Sequence, residues 1–407
     1  MAIITVFYAQ YSKEDAFLSL LKEKTGYQLV DDQALVARAA ELSQYSPDRI
    51  SKAFSTKTSL FNPFTHDKEK SLAYLQLAAA EFIQGDGLIL AGYGAHLIKA
   101  QIAHVLKVCL VAEKPARIAF AREAGEKDPQ KMLHKSDADR AAWVLSQRES
   151  NDPWQASLYD ILLPMDKKGV EEAVALVVNQ LGDSFLAPSD ASRAAARDAL
   201  VQARVQLALA LEGHDLSVSV LNGAVHLTVE KNVVMLNRLK QELQDLVSPI
   251  EGVNRVDIGV GKDFYQADIY RKLDFQTPSK VLLVDDEREF VETLSERLLL
   301  RDISSAVVYD GESALETVQD DQPDVMILDL KMPGIDGMEV LRRVKASQPD
   351  IEVIILTGHG NESDREACMA LGAFAYLQKP VDIDVLSETM KKANEKINLR
   401  KSGQQQA

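Results

Sequence analysis

The sequence predicts a multidomain α/β protein, and three observations carry that expectation. Residues 279–400 hold five apolar runs, each followed by a helix-like stretch. Residues 1–183 alternate strand and helix patterns in the same way. Between them, Leu216–Val229 alternates apolar and polar residues on both sides of Asn222-Gly223, a two-residue type I′ hairpin signal. Strand–helix alternation argues for parallel sheets; the hairpin argues for a smaller α+β module. The expected domains are 1–183, 190–262 and 279–400.

Composition narrows the class. A chain of 407 residues has room for two or three domains, and 46% hydrophobic with 26% charged residues fits ordinary globular folding. No apolar run approaches the roughly 20 residues that span a bilayer. Met1–Tyr8 lacks a basic leader and reads as a first strand, not a secretion signal. Cys109 and Cys368 both sit in apolar settings, so two buried free thiols in a reducing cytoplasm are expected. Net charge is −15, and residues 279–407 hold 15 basic against 25 acidic residues. A chain this acidic, without a basic stripe or helix-turn-helix pattern, argues against a DNA-binding domain, because phosphate contacts supply most non-specific affinity.

In the first domain Ile3–Tyr8 is a strand, Glu14–Lys24 an amphipathic helix closed by Gly26, and Tyr27–Val30 a lead into Asp31-Asp32. Gln33–Leu42 and Asp67–Gln84 are helical, and Leu88–Ala91 and Lys107–Val111 are buried strands. Five pieces carry a resemblance: Tyr27-Gln-Leu-Val-Asp-Asp-Gln-Ala-Leu, Leu90-Ala-Gly-Tyr-Gly-Ala, Lys114-Pro-Ala-Arg-Ile-Ala-Phe-Ala-Arg, Lys135-Ser-Asp-Ala-Asp-Arg-Ala-Ala-Trp and Leu158-Tyr-Asp-Ile-Leu-Leu-Pro-Met-Asp. Together they resemble the cytidylate-kinase-like branch of nucleoside monophosphate kinases, which implies a P-loop-kinase-like α/β fold.

The departures from that family bear on function. A phosphate loop needs glycines so that backbone N–H groups can wrap the phosphates at a helix N-terminus. Here the loop reads Phe7-Tyr-Ala-Gln-Tyr-Ser-Lys-Glu-Asp15, without glycine, and Glu14-Asp15 puts negative charge where triphosphate would sit. Lys13 is a vestige of such a loop, and Tyr93 stands where the family pattern has Arg. Arg117, Arg122, Lys131, Lys135 and Arg140 form a basic series in the lid-like region. A working lid clamps phosphates with such groups; with Glu126, Asp137 and Asp139 interspersed, the series reads as a solvated helical face. A degenerate, catalytically inactive kinase-like domain is expected, with Lys13, Arg117, Arg122 and Arg140 as vestigial nucleotide-site residues.

Asp183–Asp190 reads as a linker. The order that follows is helix Ala191–Glu212, the hairpin, helix Asn232–Val247 and strand Glu251–Val260. With Leu-Asn-Gly-Ala-Val-His-Leu and Ile-Glu-Gly-Val-Asn-Arg-Val it resembles a BON domain, a small module linked to membranes, lipids or other ligands. That binding role is not carried over to a chain without an export signal. His214 and His226 read as isolated surface or strand residues, and Asp263–Lys280 as a boundary.

In residues 279–400 the strand ends carry chemistry. Lys280–Val284 runs into Asp285-Asp286-Glu287, Asp324–Leu328 into Asp329, Ile351–Leu356 into Thr357, and Ala375–Gln378 into Lys379-Pro380. Ligands of a parallel sheet sit beyond the carboxyl ends of its strands, and bunched carboxylates invite an oxygen-liganded divalent cation. With Met332-Pro-Gly and Asp336-Gly, this set resembles the receiver domain of response regulators and implies a doubly wound (βα)5, flavodoxin-like fold. The resemblance implies Asp329 as phosphoacceptor, Mg²⁺ on Asp285, Asp286, Asp329 and the Lys331 carbonyl, Thr357 and Lys379 on the phosphoryl group, and Tyr376 as the aromatic switch. It implies a sensor histidine kinase as donor. Only Lys401–Ala407 follow this domain, so the output is expected through the N-terminal modules, a downstream protein or a second copy of the chain. The competing reading is a nucleoside monophosphate kinase regulated by its receiver.

Overall fold

The computed structural model describes residues 2–56, 60–214, 216–229, 236–261, 280–299, 301, 303–358 and 361–404. The chain divides into two compact units, one of Met1–Lys57 with Asp67–Lys272 and the other of Thr58–His66 with Leu273–Ala407.

The first unit is built on a parallel sheet. Strands β1 (Ile3–Tyr8), β2 (Gln28–Val30), β3 (Leu88–Ala91), β4 (Val105–Val111) and β5 (Ile161–Pro164) lie in the order β2-β3-β1-β4-β5. β1 is central, with Ile3 opposite both Leu88 and Val105. Its apolar run is continuous because both faces are covered. Ile3, Val30, Leu75 and Leu90 belong to one apolar layer, and Ile4, Val6, Phe17, Leu21 and Leu106 to the other. The loop after β1 therefore opens at the carboxyl edge of the sheet, beside the strand-order reversal where α/β folds place their ligands.

A smaller sheet follows, with β6 (Ser217–Leu221) antiparallel to β7 (Ala224–Val229) and β8 (Arg255–Val260) parallel to β7. Asn222 and Gly223 take φ of 51° and 75°, the two left-handed positions of a type I′ turn. The Asp198 carboxylate accepts both turn amides, at 2.7 and 2.9 Å. Asp198 lies on the Asp190–Leu211 helix, which serves two cores. Val201, Val205 and Leu209 pack with Val225 and Leu227 of β7. Ala203 packs with Leu77 and Ala80 of the Asp67–Phe82 helix, and Gln84 donates to the Ala196 carbonyl at 2.9 Å.

The hairpin and the parallel strands are present as predicted, and of the helix read over Asn232–Val247 the part from Leu236 is described, its start lying outside the described residues; the modules read as 1–183 and 190–262, however, share a helix inside one unit. The stretch read as a linker is docked too, since Leu186 is 2% exposed and packs with Val174 and Val177. The short apolar stretch Phe185-Leu186-Ala187 between polar and proline residues is too brief to show a periodicity, which hides it from a sequence reading. His214, read as an isolated surface or strand residue, is buried and lies 3.6 Å from Glu242. The boundary read at Asp263–Lys280 falls almost wholly outside the described residues.

The second unit contains β9 (Val281–Val284), β10 (Ser305–Val308), β11 (Val325–Leu328), β12 (Glu352–Thr357) and β13 (Ala375–Gln378), all parallel, in the order β10-β9-β11-β12-β13. Counted within the unit this is 2-1-3-4-5, the doubly wound order with its switch point between β9 and β11. Helices cover both faces. Val291, Leu294 and Leu298 join Leu386, Met390 and Ala393 on one side; Ala314, Val318, Val340, Leu341 and Val344 lie on the other, in a cluster that includes the fully buried Phe61. Among the described residues no helix is long and apolar enough to cross a membrane.

The shared helix makes a testable demand. Ala203 is 4% exposed, so Ala203→Leu overpacks the junction. A loss of about 1–3 kcal/mol in urea unfolding is expected; unchanged stability would mean that the helix does not join the two cores.

Candidate functional site

The carboxyl ends of β9 and β11 are side by side, with Val284 opposite Leu328. The next residue of each strand is therefore forced to the same place, and these residues are Asp285 and Asp329, 4% and 5% exposed. Glu287 joins them, and one ligand oxygen from each of the three lies within 4.8 Å of the others. Lys379, delivered by β13 from across the sheet, puts its Nζ 2.6 Å from Asp285 Oδ2, 3.1 Å from Asp329 Oδ2 and 3.3 Å from Glu287 Oε1. The same ammonium lies 4.3 Å from the Phe290 ring centroid.

Burial and neighbouring charge together set the protonation tendencies. Burial pushes the Asp285 carboxyl above its usual range, against the pull of Lys379. Burial draws Lys379 down, but the Asp285 and Asp329 carboxylates outweigh it and its affinity for the proton is raised.

The backbone holds Asp329 from behind. Its Oδ1 accepts the amides of Leu330 at 2.6 Å and Lys331 at 3.4 Å. Gly337 packs directly against it: a Cβ there would lie 2.0 Å from the Asp329 carbonyl oxygen. Gly337 N–H donates to the Leu330 carbonyl at 2.9 Å, and Asp336 caps the following helix through the Glu339 amide. The Asp336-Gly pair singled out in the sequence is thus a packing requirement of the acidic site.

Thr357, fully buried, closes β12, and its carbonyl accepts the Lys379 amide at 2.9 Å. Tyr376 lies opposite Ile355, and its hydroxyl is buried without a hydrogen-bond partner among the described residues. Asp286 is half-buried and outside the three-carboxylate group. Glu287, exposed and therefore unremarkable in the sequence, takes a place in it. Lys331 is exposed, and His359 lies outside the described residues.

The oxygen-only donor set, with a third carboxylate and a single ammonium offsetting it, fits Mg²⁺. Asp285, Asp329 and Glu287 would hold it.

In the first unit a cleft of about 890 Å³ opens after β1, lined by Tyr8, Lys13, Glu14, Asp32, Tyr93 and Arg140 among others. The basic series splits here. Arg122, Lys131 and Lys135 are exposed, as a solvated face requires. Arg117 and Arg140 are 4% and 5% exposed, which corrects the reading of the whole series as a solvated face. Arg117 donates to the Gln10 carbonyl at 2.7 Å and forks onto Asp137 at 2.7 and 3.0 Å. Arg140 donates to the Tyr8 carbonyl at 2.7 Å and lies 5.1 Å from the Tyr93 ring. Their reach ends on the loop's own carbonyls. Lys13 lies over the Phe120 ring at 4.8 Å.

Asp32, unassigned by the sequence reading, also lines the cleft. Burial pushes its carboxyl up to about 7, against Arg140 and the Tyr93 and Gly94 amides. Gly92, at φ +85°, makes room for it, since a Cβ there would lie 2.1 Å from Asp32 Oδ2.

Comparisons with known proteins agree with this division. Residues 281–391 match the response regulator receiver domain, and residues 3–167 match the cytidylate kinase-like family. The response regulator MprA of Mycolicibacterium vanbaalenii is 35% identical over 114 residues, covering 28% of this chain and 49% of that protein. MprA of Mycobacterium tuberculosis is 35% identical over 112 residues, with the same shares. The chain spans about half the length of the curated relatives it matches. A response regulator receiver domain from Clostridium thermocellum is 35% identical, covers 30% of this chain and 96% of its own, and superposes with a TM-score of 0.28.

Lys379→Met would leave Asp285 and Asp329 buried without their ammonium. A loss of about 3–5 kcal/mol is expected in metal-free urea unfolding, with partial recovery on adding Mg²⁺. Equal stability with and without the lysine would contradict the charge balance described.

Proposed function

We propose that the receiver domain at residues 281–391 makes this chain a response regulator of a two-component phosphorelay, accepting a phosphoryl group on Asp329 from a sensor histidine kinase. The observation that carries this reading is the single Lys379 ammonium within 3.3 Å of the carboxylates of Asp285, Glu287 and Asp329. A carboxylate oxygen of Asp329 attacks the phosphorus of the donor's phosphohistidine. The new O–P bond gives an acyl phosphate, the P–N bond breaks, and its electron pair returns to the imidazole, which is protonated on leaving. Lys379 keeps its place and exchanges carboxylate charge for phosphoryl charge. The Thr357 hydroxyl hydrogen-bonds a phosphoryl oxygen. When bound, Mg²⁺ neutralises charge on the transferring group.

The output is a change in the face made by the Glu362–Ala370 helix and β13. The Tyr376 hydroxyl supports this, because a buried unpaired hydroxyl is costly and gains by moving toward Thr357. That face is read by the N-terminal modules, a downstream protein or a second copy of the chain. The two buried free thiols support a cytoplasmic setting, and the cytidylate-kinase-like and BON-like regions are taken as binding modules.

The second reading, a nucleoside monophosphate kinase governed by its receiver, is favoured by the open cleft beside Asp32 and opposed by the loop at Ala9–Asp15. Beryllofluoride with Mg²⁺ is expected to alter amide hydrogen exchange across β12 and β13 in the wild type, with no change in Asp329→Ala or in EDTA. The same preparation is expected to show no turnover of ATP with CMP. A wild type as unresponsive as Asp329→Ala would refute the phosphoacceptor assignment, and sustained turnover would favour the kinase.

A further inference from the structure

The loop after β1 has lost its glycines but keeps a curled backbone. Tyr11 and Lys13 both take φ of 61°, left-handed values that side chains other than those of Asn and Asp adopt rarely. Ser12 between them is fully buried, and its Oγ donates to the Ala9 carbonyl at 2.6 Å. This alternation turns successive amides inward, into a concavity of the kind that binds anions. An anion of the chain is already there. Glu14, the first residue of the Glu14–Thr25 helix, folds back so that Oε1 accepts the Tyr11 amide at 2.9 Å and Oε2 accepts the Ser12 amide at 2.8 Å.

We propose that the Glu14 carboxylate is an intramolecular occupant of this anion seat and is what excludes polyphosphate from the cleft of the first unit. The inference rests on the first unit alone and stands apart from the chemistry assigned to Asp329. Amide-to-carboxylate hydrogen bonds are among the stronger kinds. A carboxylate tethered at the helix start also competes at an effective concentration on the order of millimolar or above. Two cations beside the loop are committed elsewhere, Arg117 to Asp137 and the Gln10 carbonyl, Arg140 to the Tyr8 carbonyl. The cost of two left-handed side-chain residues is retained because the loop amides have a permanent partner. Removing the carboxylate leaves the amides in place and opens the seat.

Calorimetric titration of inorganic pyrophosphate, with and without Mg²⁺, tests this on the full chain in an Asp329→Ala background, so that heat from the receiver is not read as heat from the loop. Glu14→Ala is expected to bind on the order of tenfold or more tighter than the parent. Glu14→Gln, nearly isosteric and uncharged, is expected between the two and covers the case in which Glu14→Ala fails to fold. A parent that binds pyrophosphate as tightly as the folded variants would overturn the proposal, and so would variants that fold and bind none.

Discussion

One ammonium among three carboxylates is the constraint on which the second unit turns. Asp285 and Asp329 are brought together by sheet register, because Val284 and Leu328 are paired and both strands end there. Negative groups so close repel one another. Lys379 lies between them as the offsetting charge, and it comes from β13 at the far edge of the sheet. The doubly wound order is therefore more than a scaffold. It is the topology by which residues distant in sequence meet at one edge, and Gly337 closes that edge from below by excluding any side chain from the Asp329 carbonyl.

The first unit meets the same problem, a negative charge at the carboxyl edge of a parallel sheet, with the opposite outcome. Its arginines are buried and committed to the chain's own carbonyls and to Asp137. Its loop amides hold Glu14. Asp32 sits on the Gly92-Tyr93-Gly94 turn, its Oδ1 accepting the Gly94 amide at 3.3 Å. Arg117, Arg140 and the amides of Tyr11 and Ser12 are thus all answered from within the region that matches the cytidylate kinase-like family.

Much of the second unit was legible in the sequence because β9, β11 and β12 are fully buried and read as apolar runs, each ending on or running into a residue with distinct chemistry. Asp285, Asp329, Thr357 and Lys379 could be placed at one edge from that pattern alone. Glu287 could not, because an exposed glutamate after an acidic pair carries no periodic signal; only the position of Lys379 reveals it. In the first unit the absence of glycine and the acidity of Glu14-Asp15 were legible, but not that Glu14 turns back onto the loop, which depends on left-handed backbone at Tyr11 and Lys13. The burial of Arg117 and Arg140 was hidden for a related reason: charge on a helix reads as solvated unless its partners, here carbonyls of β1 and its loop, are known. The helix Asp190–Leu211 was legible as a helix, but its double use was not, since alanine contributes weakly to any apolar face.

The central claim is that Asp329 is the nucleophile toward phosphorus. Its most direct test is to treat the full chain with phosphoramidate and Mg²⁺, reduce the acyl phosphate with borohydride, and map the resulting homoserine by peptide mass spectrometry. Phosphorylation of Asp329 requires homoserine at position 329 alone. Conversion at Asp285 or Asp286, or no conversion at any carboxylate, would contradict it.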